Sequence, residues 1–131
     1  MRRMLGPRVS VSGQVQPGQV RELVAEGVTL LICNRPDHEE PGQPSQGDLE
    51  RAAEAAGITF QVASFQGRPT PEAVEAMSQA LASEAVIHAF CRSGMRSAAT
   101  WAVAETRRGR PLNEVLEAGR TAGYDLAGLF I

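Results

Sequence analysis

Residues 86–102 read VIHAFCRSGMRSAATWA. The residues before Cys91 form a short apolar run of strand length, and beyond it Ala98, Trp101 and Ala102 recur at helical spacing. Between the two lies Cys91-Arg92-Ser93-Gly94-Met95-Arg96. A buried strand that ends in a cysteine and turns through a glycine into a helix has the ingredients of an anion cradle. The N–H groups of the turn converge on a negative ligand, and the helix N-terminus adds partial positive charge. Gly94 permits the tight backbone, the field favours the reactive thiolate of Cys91, and Arg96 offers an oxyanion a planar fork. Cys91 is therefore the candidate nucleophile, with phosphorus or sulfur as its target.

Outward from this stretch, the chain repeats one grammar. A helix over 17–27 with Val20, Leu23 and Val24 on one face stops at Gly27, and the apolar run VTLLICN (28–34) follows. A helix over 45–56 stops at Gly57 before ITFQVA (58–63); another opens at Pro71 with Val74, Met77 and Leu81 inward, leading to EAVIHAF (84–90). The near-continuous apolar runs suit strands buried on both faces. RVSVSG (8–13) alternates like an edge strand, the helix after Cys91 runs to about Arg108, Pro111 opens another, and the chain closes in a short turn or helix. Strands alternating with helices imply an α/β fold, a mostly parallel central sheet with right-handed crossovers and helices on both faces. Ligands of such sheets bind beyond the carboxyl ends of the strands, where Cys91 and the loop from Asn34 both lie.

Length and composition restrict the partners. With 131 residues, 43% hydrophobic and 21% charged, the expectation is one domain over 1–131. A net charge of −2 provides no basic field for nucleic acid or an anionic membrane, so any anion site is local. Gly6, Pro7 and Arg8 interrupt the N-terminus where a leader would need an apolar run of about 7–15 residues. The reading is a cytoplasmic protein whose two cysteines are free thiols.

CRSGMRS resembles the active-site loop shared by cysteine-dependent phosphatases and rhodanese sulfurtransferases. Together with VSGQVQPGQV, NRPDHEEPGQPS, AAGITF and CRSGMRSAATWA, it resembles the family known as the beta-lactamase-hydrolase-like protein, phosphatase-like domain. The resemblance implies a dual-specificity-phosphatase-like fold with either phosphatase or sulfurtransferase activity.

Two departures from the protein tyrosine phosphatase pattern bear on that choice. The pattern has a histidine directly before the cysteine and its arginine one residue later than Arg96; the matching residues here are Phe90 and Ser97. The resulting C-x-x-x-x-R loop has the length typical of rhodaneses. Phosphate ester hydrolysis also needs an acid to protonate the leaving oxygen, and no acidic residue lies between Gly57 and Pro71. Asp37, in the loop after the other buried strand, could substitute if that loop folds over the site. Both departures lean toward a sulfurtransferase working through a Cys91 persulfide, with a sulfane-sulfur donor and a thiol acceptor. The alternative is a phosphatase working through a Cys91 phosphocysteine on a phosphorylated substrate, and a third reading is a non-catalytic oxyanion- or phosphoprotein-binding module.

Around the cradle, Arg92, Ser93, Gly94, Met95 and Ser97 are candidate loop contacts, with Arg35 a candidate pocket residue. Ser97 either donates to the Cys91 thiolate or simply starts the helix. Cys33 reads as a small core hydrophobe, with a resolving cysteine as its alternative. His38 and His88 are too isolated for a metal site, His88 reads as a satisfied core histidine, and DHEE as a solvated loop face. No GxGxxG or Walker pattern is present, so no cofactor is expected.

Overall fold

In the computed structural model, which describes all 131 residues, the apolar runs become strands and the glycine-stopped segments become helices. In chain order these are β1 (Arg3–Gly6), β2 (Val9–Ser12), α1 (Val20–Ala25), β3 (Leu30–Cys33), α2 (Gln46–Ala56) and β4 (Thr59–Val62). Then come α3 (Pro71–Ala82), β5 (Ile87–Phe90), α4 (Met95–Arg107) and α5 (Leu112–Ala122). Short 3₁₀ turns occupy Pro17–Gln19 and Ala127–Phe130. Local chemistry sets the helix ends. Ser45 and Asp48 form a reciprocal capping box on α2, Gly57 stops that helix at φ 79°, and Thr70 caps α3 ahead of Pro71.

The sheet order is β1-β2-β5-β3-β4. β2, β5, β3 and β4 are mutually parallel, and only β1 runs antiparallel, against β2. β2 is therefore interior, correcting the edge position expected for residues 8–13. The true edge is β1, which exposes Arg3 and Met4 and shields the wholly buried Val9–Ser12. β5 sits at the centre, so Cys91 emerges at the carboxyl end of the middle strand, flanked by the ends of β2 and β3.

Alternation along the strands feeds two cores. Leu30 and Ile32 of β3 with Ile87 and Ala89 of β5 pack under α3, α4 and α5, together with Val74, Met77 and Trp101. Leu31 and Cys33 with Phe90 face Val20, Leu23 and Leu49 from α1 and α2. Two-sided burial explains the unbroken apolar runs of the central strands. No helix is long and apolar enough to cross a membrane.

His88 is the polar exception in β5, wholly buried. The Ser12 hydroxyl donates to the Gly13 carbonyl at 2.8 Å, so it accepts from His88 Nε2 at 2.7 Å. Nδ1 then accepts from the Ser10 hydroxyl at 2.9 Å, which in turn accepts from Arg2 Nε. Burial, reinforced by the Arg2 and N-terminal charges, pushes His88 down to about 3. The unfolded chain takes up this proton near the ordinary value of about 6.5, whereas the folded chain resists it. Stability from the neutral ring is thus fully present above pH ~6.5 and falls as pH drops toward 3, by about 2–3 kcal/mol at pH ~4.5. His88→Gln is expected to flatten the slope of the urea midpoint between pH ~6.5 and ~4.5. An unchanged slope would assign that acid sensitivity to other groups.

Candidate active site

The loop after β5 is built around two glycines. The Cys91 N–H donates to the Ser12 carbonyl at 3.4 Å, after which the chain leaves the sheet. Gly94 adopts φ 95° and caps α4, so its N–H turns back onto Cys91 Sγ at 3.1 Å, the kind of donor that suits a charged sulfur. Tyr124 lies across this turn, its hydroxyl donating to the Ser93 carbonyl at 3.2 Å. Gly13 approaches from β2, where a Cβ would stand 2.9 Å from the Arg92 carbonyl oxygen. Cys91 is fully buried at the base of the turn.

Several backbone donors of the same loop are left open. Met95 N–H goes to Ser93 Oγ at 3.3 Å, while the N–H groups of Arg92, Ser93, Arg96 and Ser97 have no protein acceptor. Arg96 is held from behind. Its Nη1 donates to Glu39 Oε2 at 2.9 Å and to the Phe65 carbonyl at 2.9 Å, and its Nη2 donates to Glu39 Oε1 at 2.7 Å. These bonds use three of the five N–H groups of a guanidinium. The remaining two, on Nε and Nη2, form its side-on fork and are free to grip an oxyanion in bidentate fashion.

Glu39 is saturated by this role. Besides Arg96 it accepts from Arg35 Nε at 2.9 Å and Gln66 Nε2 at 3.1 Å. The Arg96 hydrogen bonds, helped by Arg35 and Gln66 against the opposing effect of burial, hold its carboxyl down at about 2. Nothing in the run DHEE distinguishes Glu39 from its solvated neighbours, so sequence reading missed it.

The other expected site residues are arranged differently from one another. Arg35 is 1% exposed and spends its guanidinium on Gln14, Glu39 and Glu40, so it braces the site from inside. Asp37 accepts the Gln46 N–H at 2.8 Å at the start of α2 and lies in a recess with Cys33, Gln43 and Phe90. The Ser97 hydroxyl donates to Asn34 Oδ1 at 2.8 Å, and Asn34 Nδ2 to the Ala63 carbonyl at 2.9 Å, a chain that ties α4 to the ends of β3 and β4. Arg92 is largely exposed and 3.7 Å from Glu40, and Met95 and Ser93 are likewise exposed at the rim. Cys33 donates its thiol to the Arg35 carbonyl at 3.2 Å, and burial pushes it up to about 11; both cysteines are free.

Comparison with known proteins places this geometry. A family model described as "Beta-lactamase hydrolase-like protein, phosphatase-like domain" matches residues 2–108. A beta-lactamase hydrolase-like protein of Agrobacterium fabrum is 32% identical over 125 residues, an alignment covering 93% of this chain and 29% of the relative. The chain thus spans less than a third of that relative's length. Among solved structures, a candidate phosphatase from Neisseria meningitidis aligns with a TM-score of 0.81 at 28% identity, covering 96% of this chain and 91% of that one. Tk-PTP in its active form shares the fold, with a TM-score of 0.69 at 18% identity over 95% and 85% of the two chains. The architecture is that of the dual-specificity-phosphatase-like enzymes, and these relations back the phosphorus alternative better than the sulfur reading to which the loop length leaned. With most of its length matched and the cysteine loop in place, the chain belongs to the beta-lactamase hydrolase-like protein, phosphatase-like domain family.

Proposed function

We propose that the protein hydrolyses phosphate monoesters through a Cys91 phosphocysteine. The observation that carries this reading is the set of donors that the cysteine loop leaves open: four backbone N–H groups without a protein acceptor and the two of the Arg96 side-on fork. A transferring phosphoryl group spreads negative charge over three non-bridging oxygens, and catalysis consists mainly of positioning it and stabilising that charge. Six donors match three oxygens with two lone pairs each. The shorter loop therefore does not starve a phosphoryl group of partners.

In this mechanism the Cys91 thiolate attacks phosphorus in line, the S–P bond forms as the P–O bond to the leaving group breaks, and water then releases phosphate from the cysteine. Arg96, oriented by Glu39, follows the oxygens through both steps.

Sulfur transfer remains a second reading because the C-x-x-x-x-R spacing itself favours it. One pair of assays separates the two. The chain is incubated with p-nitrophenyl phosphate, and in parallel with thiosulfate and cyanide, comparing the unmodified protein with Cys91→Ser. The expected result is Cys91-dependent phosphate release. Cys91-dependent thiocyanate without phosphate release would replace this proposal with the sulfur reading.

A further inference from the structure

A peptide group of the cysteine loop that turns its N–H toward the sulfur must turn its carbonyl the other way, because the two point in opposite directions in a trans peptide and no peptide of the chain is cis. The Ser93–Gly94 peptide is bonded at both ends. Its N–H donates to Cys91 Sγ at 3.1 Å, and its carbonyl accepts the Tyr124 hydroxyl at 3.2 Å. The preceding peptide sends its carbonyl against Gly13, where an added Cβ would stand 2.9 Å away, and its Ser93 N–H is left open. Two successive carbonyls are thus received outside the loop, one beside a glycine backbone and the other by a phenol.

Without that phenol the peptide has an alternative. Rotating the Ser93–Gly94 plane by about 180° takes φ of Gly94 from 95° into the ordinary negative region, so the flipped turn carries no left-handed strain. The Gly94 carbonyl keeps the Ala98 N–H throughout, and α4 is undisturbed. The flipped peptide, however, presents the Ser93 oxygen to the Cys91 thiolate in place of an N–H. Glycine permits the observed turn but does not enforce it. The bond that the flip must break is the one from Tyr124. That side chain is itself braced: Arg3 Nη1 donates to the Ala122 carbonyl at 3.0 Å, and its guanidinium lies over the Tyr124 ring, 5.9 Å from the centroid. Burial, against the opposing Arg3 charge, holds the phenol above its ordinary value, so it is a protonated donor at neutral pH.

We propose that Tyr124 is a positioning residue for Cys91: its hydroxyl latches the Ser93–Gly94 peptide so that the Gly94 N–H stays on the sulfur. The kinetic consequence rests on the phosphatase reading. In the second step water adds to phosphorus, the S–P bond breaks and its electron pair returns to Sγ, so phosphocysteine and water give the Cys91 thiolate and dihydrogen phosphate. Negative charge grows on the sulfur in that step, and an aimed N–H stabilises it. In the first step the charge on sulfur is spent, and the same N–H lends nothing beyond keeping the thiol ionised. The latch therefore acts mainly on breakdown of the intermediate rather than on its formation.

Tyr124→Phe removes the hydroxyl and keeps the ring, and rapid mixing with p-nitrophenyl phosphate separates the two steps. The variant is expected to release a burst of about one p-nitrophenol per Cys91, with kcat about tenfold below that of the unmodified protein and a burst rate within about threefold of it. A merely structural role would lower the melting temperature and the active fraction, shrinking burst and kcat in the same proportion. That proportional loss, or an unchanged kcat, overturns the latch. A second measurement needs no turnover. Iodoacetamide at pH ~6.5 is expected to label Cys91 about threefold more slowly in Tyr124→Phe, because fewer thiols are ionised while each thiolate is somewhat more nucleophilic. If the unmodified protein forms no phosphocysteine and releases no phosphate, the phosphatase reading falls, and labelling alone decides on the latch. Equal labelling of the two proteins with normal turnover sinks the latch and leaves the phosphatase reading standing.

Discussion

Glu39→Ala is expected to destabilise the fold by about 3–5 kcal/mol, the range for breaking one side of a buried ion pair, and to reduce turnover of whatever folds. The cost arises chiefly at Arg35. That side chain is 1% exposed, and without Glu39 its charge is left with only Glu40, which is partly in solvent, and the neutral Gln14. Arg96 loses the two bonds that fix its end-on edge and keeps the Phe65 carbonyl alone. A guanidinium free to swing is misplaced for an oxyanion, and displacement by about 1 Å can cost 10²-fold in rate. The same carboxylate predicts an acid limit. Its folded value of about 2 lies below the ordinary 4.5, so its stabilisation is complete above pH 4.5 and is lost as pH falls from there toward 2. Glu39→Gln retains the shape and part of the hydrogen bonding, and is expected to show a smaller loss with a weaker acid transition. Urea midpoints of the three proteins across this pH range decide the matter. A Glu39→Ala midpoint equal to that of the unmodified protein would mean that Arg35 finds adequate compensation elsewhere.

How much of this was legible in the sequence depends on how far apart the interacting groups lie along the chain. The buried strands and their helices announce themselves, because a strand covered on both faces must be apolar at nearly every position, and Gly57 stops a helix where the pattern breaks. β1 gave no such signal. It is an edge strand with Arg3 and Met4 exposed, and its pairing with β2 comes from tertiary structure rather than periodicity. At the site, Cys91, Gly94 and Arg96 were readable because their relation is local to one turn. Glu39 was not, since it meets Arg96 across 57 positions and only that meeting separates it from an ordinary loop acid. The same holds for Ser97, whose hydroxyl is drawn to Asn34, 63 positions away, and for Tyr124 over the cysteine loop. Loop length does not report which N–H groups remain unpartnered, and the family and structural relations back the phosphorus alternative better than the sulfur reading that loop length favoured.

Gly94→Ala is expected to remove turnover while leaving a folded, weakened protein. The backbone at φ 95° lies in the left-handed region, which costs a residue with a Cβ roughly 1–2 kcal/mol. The new methyl would also overlap the Tyr124 hydroxyl and come within 3.2 Å of the Ser12 carbonyl carbon, so the turn, Tyr124 or both must move. Overpacking of this kind adds about 1–3 kcal/mol. The effect on chemistry is expected to exceed the effect on stability, because the Gly94 N–H directed at Cys91 Sγ and the neighbouring unpartnered donors depend on this one dihedral angle. Losing a single such donor typically costs about 10²–10³-fold in kcat. Tyr124→Phe in the same chain separates the two contributions. It removes the overlapping hydroxyl, so part of the melting temperature should return, while the strained backbone persists and turnover stays low. Recovery of turnover in the double variant would place the defect in the Tyr124 contact rather than in the turn, and full activity in Gly94→Ala alone would show that the left-handed residue is not what aims the loop at the sulfur.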